Sequence, residues 1–141
     1  METLERGVAT LEQRAERHFE QILIRARQVF DQIEILDQAF SPVSAVLKFR
    51  ARWKNFLIAV SETIEADTRG YSYYLLIENR IAIGLDNFSD RPALRLKYGK
   101  DFVKHLYETI PHLHLDNKRK IELTDEKTFD DFVKMVLEFV E

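Results

Sequence analysis

The chain has 141 residues, of which 45% are hydrophobic and 32% are charged, a composition typical of one globular domain. A formal net charge of −3 argues against a protein built to neutralise nucleic acid in bulk. Without cysteine the chain has no disulfides, thiolate nucleophiles or cysteine-based zinc sites. The charged N-terminus and the short apolar runs predict a cytoplasmic protein with no signal peptide and no membrane partner.

The first half of the chain has a helical pattern. Apolar residues recur every three or four positions through residues 4–40, which predicts one long amphipathic helix. Ser41-Pro42 is typical of a helix start, and an apolar stripe over residues 43–64 predicts a second helix. Because their connection is short, we expect an antiparallel helical hairpin over residues 1–68.

This hairpin offers more apolar length than the rest of the chain obviously covers. It therefore also predicts a homodimer in which residues 4–64 form the contact surface. A non-catalytic interaction module that dimerises in this way is our alternative interpretation of the whole protein.

The second half, residues 69–141, predicts a small antiparallel sheet with a closing C-terminal helix. Residues 71–77 and 81–85 are rich in aromatic and β-branched types on either side of a Glu-Asn turn, which predicts a hairpin. Residues 93–98 alternate leucine with cations and predict a third strand. The resulting fold class is α+β, with the helical hairpin and the sheet in a single domain.

The end of the chain shows two further signals. Leu113 and Leu115 alternate with two histidines in a predicted strand, and a returning strand follows. Thr128 with Asp131 resembles a capping box, and the apolar residues after it fit the inner face of a helix. That face consists of Phe129, Phe132, Val133, Val136, Leu137 and Val140.

The strongest candidate site is formed by His112 and His114. Residues two apart in a strand point to the same face, so both imidazoles face outward if Leu113 and Leu115 face the core. Asp86 ends an earlier predicted strand and is a candidate to orient one ring. Asx residues also end strands without any further role, and surface histidines are common.

Two chemistries fit this pair. One is metal-independent acid–base catalysis, in which one ring accepts a proton while the other donates one, as RNA cleavage requires. Phosphate would then be bound by Asn87 and by three cations that follow it, Arg91, Arg95 and Lys97. We favour this chemistry, which needs no cofactor. The alternative is a metal site in which Asp86 completes the ligands.

Several motifs together resemble one family. Tyr-x-Tyr-x-Leu in a first strand, Asp86-Asn87 after a second strand, and Pro-His-x-His before an acidic, Phe-containing helix are similar to the TumE-type toxins of prokaryotic toxin–antitoxin modules. The resemblance covers residues 71–140, and Asp86, Asn87, Pro111, His112 and His114 occupy the positions of its motif residues.

The resemblance implies a small cytoplasmic toxin that acts on RNA or on translation. It also implies a protein partner, an antitoxin encoded by the neighbouring gene. Combined with the acid–base pattern, it predicts a ribonuclease with His112, His114 and Asp86 as its catalytic residues.

Overall fold

The computed structural model describes residues 8–139. In chain order its elements are α1 (Leu11–Val29), β1 (Asp31–Phe40), β2 (Ser44–Trp53), β3 (Phe56–Glu65), β4 (Thr68–Ile77), β5 (Arg80–Asp86), α2 (Arg91–Tyr98), a 3₁₀ helix (Gly99–His105), β6 (His112–Leu115), β7 (Lys120–Leu123) and α3 (Phe129–Phe139). None of the helices in this part of the chain is both long and apolar enough to cross a bilayer.

The seven strands form one antiparallel sheet in which each strand pairs with its neighbours in sequence. Tight turns allow this order, because an antiparallel pair needs only two connecting residues. Lys54, Ala66 and Asn79 take positive φ angles of 57°, 50° and 65° in three such turns. The sheet is therefore a continuous meander.

The predicted N-terminal helical hairpin is wrong. The first stripe does form a helix, capped by Thr10 and Gln13, but it ends at Val29 and its C-cap Phe30 is already extended. Residues 31–65 form three ten-residue strands instead of the end of one helix and a second helix. The first positions of the predicted stripe, 4–7, lie outside the described residues.

The physical reason is that the region has two periodicities. Its apolar residues recur at helical spacing, but Ala45, Leu47, Phe49 and Ala51 also alternate with exposed positions in β2. All four are buried in the core, so pairing within the sheet overrides the helical pattern. Without a helical hairpin, the contact surface predicted for a homodimer does not exist in that form, and dimerisation stays a prediction.

The second half matches its prediction more closely. The hairpin at residues 71–85, the strand at His112–Leu115 and the closing helix are all present. Thr128 and Asp131 form the reciprocal bonds of the expected cap. Leu137 is 37% exposed, so it lies at the margin of the inner face, while Val140 falls outside the described residues.

Residues 93–98, predicted as a strand, are helical. Asp90 caps α2 by accepting from the N–H of Ala93, and Pro92 lies in the first turn. Both are helix-start signals that the alternation of leucine and cations obscured. The sheet is thus larger than predicted at its N-terminal side, and the chain forms a helical segment between β5 and β6, which pair directly.

The two faces of the sheet are covered differently. On the core face, which carries Tyr73, Leu85 and Leu113, α1 and α3 bury one large apolar cluster. On the outer face, which carries Tyr74, Gly84 and His114, α2 packs Ala93 and Leu94 against Ile110. The outer face of β2 is open, because its three cations Lys48, Arg50 and Arg52 are exposed.

Candidate metal centre

Sheet register brings Asp86, His112 and His114 together on the outer face. Asp86 pairs directly with His112 across β5 and β6, and Gly84 pairs with His114. Since alternate residues of a strand share one face, all three side chains point to the same side of the sheet. We refer to these three residues as the Asp86 cluster.

The donor atoms of the cluster converge on one point. The two Nε2 atoms lie 3.0 Å apart. His112 Nε2 is 3.3 Å from Asp86 Oδ1, and His114 Nε2 is 3.7 Å from Asp86 Oδ2. Two donors bound tetrahedrally to one ion at about 2.0–2.2 Å would lie about 3.3–3.6 Å apart, so one of the three distances fits, one is slightly short and one is slightly long.

The tautomer of His112 follows from its other nitrogen. Nδ1 is 2.6 Å from the carbonyl oxygen of Ile110, which can only accept, so Nδ1 carries the proton. In neutral His112 the lone pair of Nε2 therefore faces the Asp86 carboxylate. Metal-binding histidines are held in the same way, by a hydrogen bond from the second ring nitrogen.

His114 is held less firmly. Its Nδ1 is buried and has no hydrogen-bond partner within residues 8–139. Burial, followed by the proximity of His112, lowers the pKa of His114 below its ordinary value of 6.5. The ring is thus kept neutral, which is the form that binds a metal.

Asp86 is held by two donors from the protein. The N–H of Phe88 donates to Oδ1 at 3.0 Å, and the hydroxyl of Tyr74 donates to Oδ2 at 2.7 Å. Burial, with Asp86 as the next cause, raises the pKa of Tyr74, so the phenol remains a proton donor at neutral pH. Each carboxylate oxygen therefore has one fixed donor and one remaining side toward the imidazoles.

The cluster is covered rather than open. His112 is 1% exposed, His114 is 2% exposed and Asp86 is 7% exposed. The sequence placed both imidazoles on the face opposite to Leu113, and the structure has them there. It did not foresee that both rings would be buried.

Comparison of the chain with family models, curated proteins and solved structures found no match. The resemblance to TumE-type toxins therefore stays a prediction from short motifs. Of the motif residues, the structure joins Asp86 to His112 and His114 but turns Asn87 elsewhere. The buried side chain of Asn87 accepts from the N–H of Tyr71 and donates to the carbonyl of Arg69, so it ties β4 to the loop after β5.

The three cations predicted to bind phosphate lie on α2. The guanidinium of Arg95 lies over the ring of Phe102, and Lys97 is 3.6 Å from Glu108. Arg91 is exposed in the first turn. Within the described residues, no hydrogen bond or ion pair links any of the three to the Asp86 cluster.

A second buried carboxylate, Glu62, was missed at the sequence level. Glu62 is fully buried on the core face and contacts His18 Nε2 at 2.7 Å and Arg69 Nη1 at 3.3 Å. It also accepts a hydrogen bond from the hydroxyl of Tyr73. We call these four residues the Glu62 network. If residues 58–64 are taken as a strand, Glu62 falls on the same face as Ile58, Val60 and Ile64. A single acid on an otherwise apolar strand face is the sequence signal that identifies it.

Proposed function

We propose that this protein binds a divalent transition-metal ion through Asp86, His112 and His114. One observation carries the proposal: three donor atoms from these residues lie within 4.8 Å of one another. Two imidazoles and a carboxylate suit Zn²⁺ and other first-row ions, and they are also the donors of open iron(II) centres. Three protein ligands leave positions for water or a substrate, as in catalytic metal sites.

Charge also supports an ion at this position. Within the described residues, the only ion pairs of Asp86 are those with its two histidines. No lysine or arginine in this part of the chain lies within ion-pair distance of the buried Asp86 carboxylate. A buried charge is favourable only when it is paired, so a metal ion bound at this position would stabilise the carboxylate.

The metal-independent ribonuclease predicted from the sequence uses the same three residues. It requires an RNA backbone to reach rings that are almost fully covered, with phosphate-binding cations nearby. The geometry supports it less well than metal binding, because Arg95 and Lys97 have other contacts and an ion is far smaller than RNA.

Calorimetric titration of chelator-treated protein with Zn²⁺ or Co²⁺ tests the metal site. We expect one ion to bind per chain, and we expect His112→Ala, His114→Ala and Asp86→Ala each to weaken binding. The matched control is His105→Ala, since His105 is a half-buried histidine whose Nδ1 lies 2.8 Å from Glu108, outside the cluster. Absence of saturable binding by the wild type, or an equal loss in the control, would contradict the proposal.

The cellular role remains the one suggested by the resemblance: a cytoplasmic toxin that acts on RNA or translation and is neutralised by an antitoxin. Its motif residues Asp86, His112 and His114 are the ones that form the candidate centre. Expression with and without the neighbouring gene tests the role. Growth arrest should disappear in the His112→Ala/His114→Ala double variant, and a fully toxic double variant would separate toxicity from this site.

A further inference from the structure

Tyr74 lies against the Asp86 cluster because Gly84 leaves room for its ring. The two residues pair across β4 and β5. A Cβ added at Gly84 would lie 2.1 Å from Cε1 and 2.5 Å from Cδ1 of Tyr74, which is far inside contact distance. Any other residue at position 84 therefore forces the ring to move.

The ring of Tyr74 contacts two of the three candidate ligands. Its hydroxyl donates to Asp86 Oδ2 at 2.7 Å. Its plane is nearly parallel to the imidazole of His114, at 20° and with 6.4 Å between ring centres. His114 is the ligand whose second nitrogen has no partner in the described residues, and its nearer contacts are with His112 and Asp86 at Nε2.

Ligating carboxylates and imidazoles need such outer contacts, because a ligand that rotates freely loses affinity for its ion. In the Asp86 cluster, the carbonyl of Ile110 fixes His112 and the N–H of Phe88 fixes one oxygen of Asp86. The remaining oxygen and His114 are both in contact with Tyr74.

We infer that Tyr74 is a positioning residue of the metal centre, with Gly84 providing the space for it. This inference rests on the proposed metal site. The hydroxyl sets the orientation of the Asp86 carboxylate, to which it donates at 2.7 Å. The hydroxyl does not need to bind the ion itself.

The test compares Tyr74→Phe with Tyr73→Phe. These neighbouring residues point to opposite faces, and each phenol donates to a buried carboxylate, Asp86 or Glu62. Both variants lose one hydroxyl, so a general effect of losing a buried hydrogen bond is common to both. Co²⁺ serves as the probe, because its absorption spectrum reports the geometry of its ligands.

For Tyr74→Phe we expect about a 10- to 100-fold weaker affinity for Co²⁺ and an altered spectrum of the bound ion. For folded Tyr73→Phe we expect both to match the wild type. Equal affinity and spectrum in wild type and Tyr74→Phe would overturn the positioning role of Tyr74 without contradicting the metal site. If the wild type itself binds no Co²⁺, the metal site fails and the role of Tyr74 fails with it.

Discussion

The two buried carboxylates of this protein, Glu62 and Asp86, lie on opposite faces of the same sheet and differ in what surrounds them. Each accepts a hydrogen bond from a tyrosine of β4 and lies near histidine. Glu62 also has the guanidinium of Arg69 at 3.3 Å. Asp86 has no comparable cation within the described residues.

This difference separates a buried acid that has a protein cation beside it from a buried acid that does not. The chain itself supplies the positive charge for Glu62, so the Glu62 network is a structural ion pair. Around Asp86 the described chain supplies two hydrogen-bond donors and two imidazoles but no lysine or arginine, and the proposed metal ion would supply the missing charge. Buried acids of similar exposure thus have different roles, and the cation within reach distinguishes them.

The largest effect is expected when Glu62 is replaced. Glu62→Gln leaves Arg69 without its buried partner, and breaking such a pair costs about 3–5 kcal/mol. Because the side chain of Arg69 is 24% exposed and also lies near Glu126, we expect the low end of this range. Urea unfolding measures it, with Glu65→Gln at the exposed end of β3 as the control. A loss of stability no greater than in the control would contradict the structural role of Glu62.

The next effect separates the carboxylates by their response to metal. Zinc at about 100 times its dissociation constant should raise the free energy of unfolding by about 2.7 kcal/mol. Glu62→Gln should retain this gain even though its baseline is lower, and Asp86→Asn should lose most of it. Thermal or urea unfolding with and without zinc measures both. Equal gains in the two variants would refute the contrast.

A smaller effect is expected for Gly84→Ala. The added methyl group displaces the ring of Tyr74, and overpacking of this kind costs about 1–3 kcal/mol. In a Tyr74→Ala background the same substitution should be nearly neutral, because the clashing ring is absent. A double-mutant cycle in urea measures the coupling. An undiminished cost in that background would show that the ring is not the obstacle.

The smallest effect concerns pH in metal-free protein. Burial lowers the pKa of folded His114 from 6.5, so below pH 6.5 the unfolded chain takes up a proton that the folded chain does not. Stability should therefore fall as the pH drops below 6.5, and it should be recovered above it. His114→Gln should flatten this dependence, because the variant lacks the titrating imidazole. Unfolding free energies on both sides of that pH measure the slope, and a slope unchanged by His114→Gln would refute the assignment.

The sequence predicted the half of the fold whose local signals agree with its tertiary structure. In residues 71–85 the β-rich composition and the Asn79 turn both indicate a hairpin. In residues 31–65 the apolar residues fit both a helical and a strand periodicity. Only pairing across the sheet decides which of the two structures forms. The turn at Lys54-Asn55 was the local signal for the sheet, but Asn-containing pairs also occur on exposed helix surfaces.

The candidate site could be predicted in part for a similar reason. Strand alternation places His112 and His114 on one face, and that inference needs no tertiary information. The pairing of Asp86 with His112 depends on register, which the sequence does not reveal. Their burial was not predicted, and the capping signals of α2 at Asp90 and Pro92 were not recognised either.

Strand β4 carries the two tyrosines that donate to the buried carboxylates, Tyr73 and Tyr74. They lie in a segment of similar residues, Tyr-Ser-Tyr-Tyr. A shift of one position against its neighbours would still offer an aromatic ring to each face at several points. It would, however, separate both hydroxyls from their carboxylates in a single step and leave two buried acids short of donors. The two polar sites therefore favour the observed register, because a sheet shifted by one position would lose both hydrogen bonds.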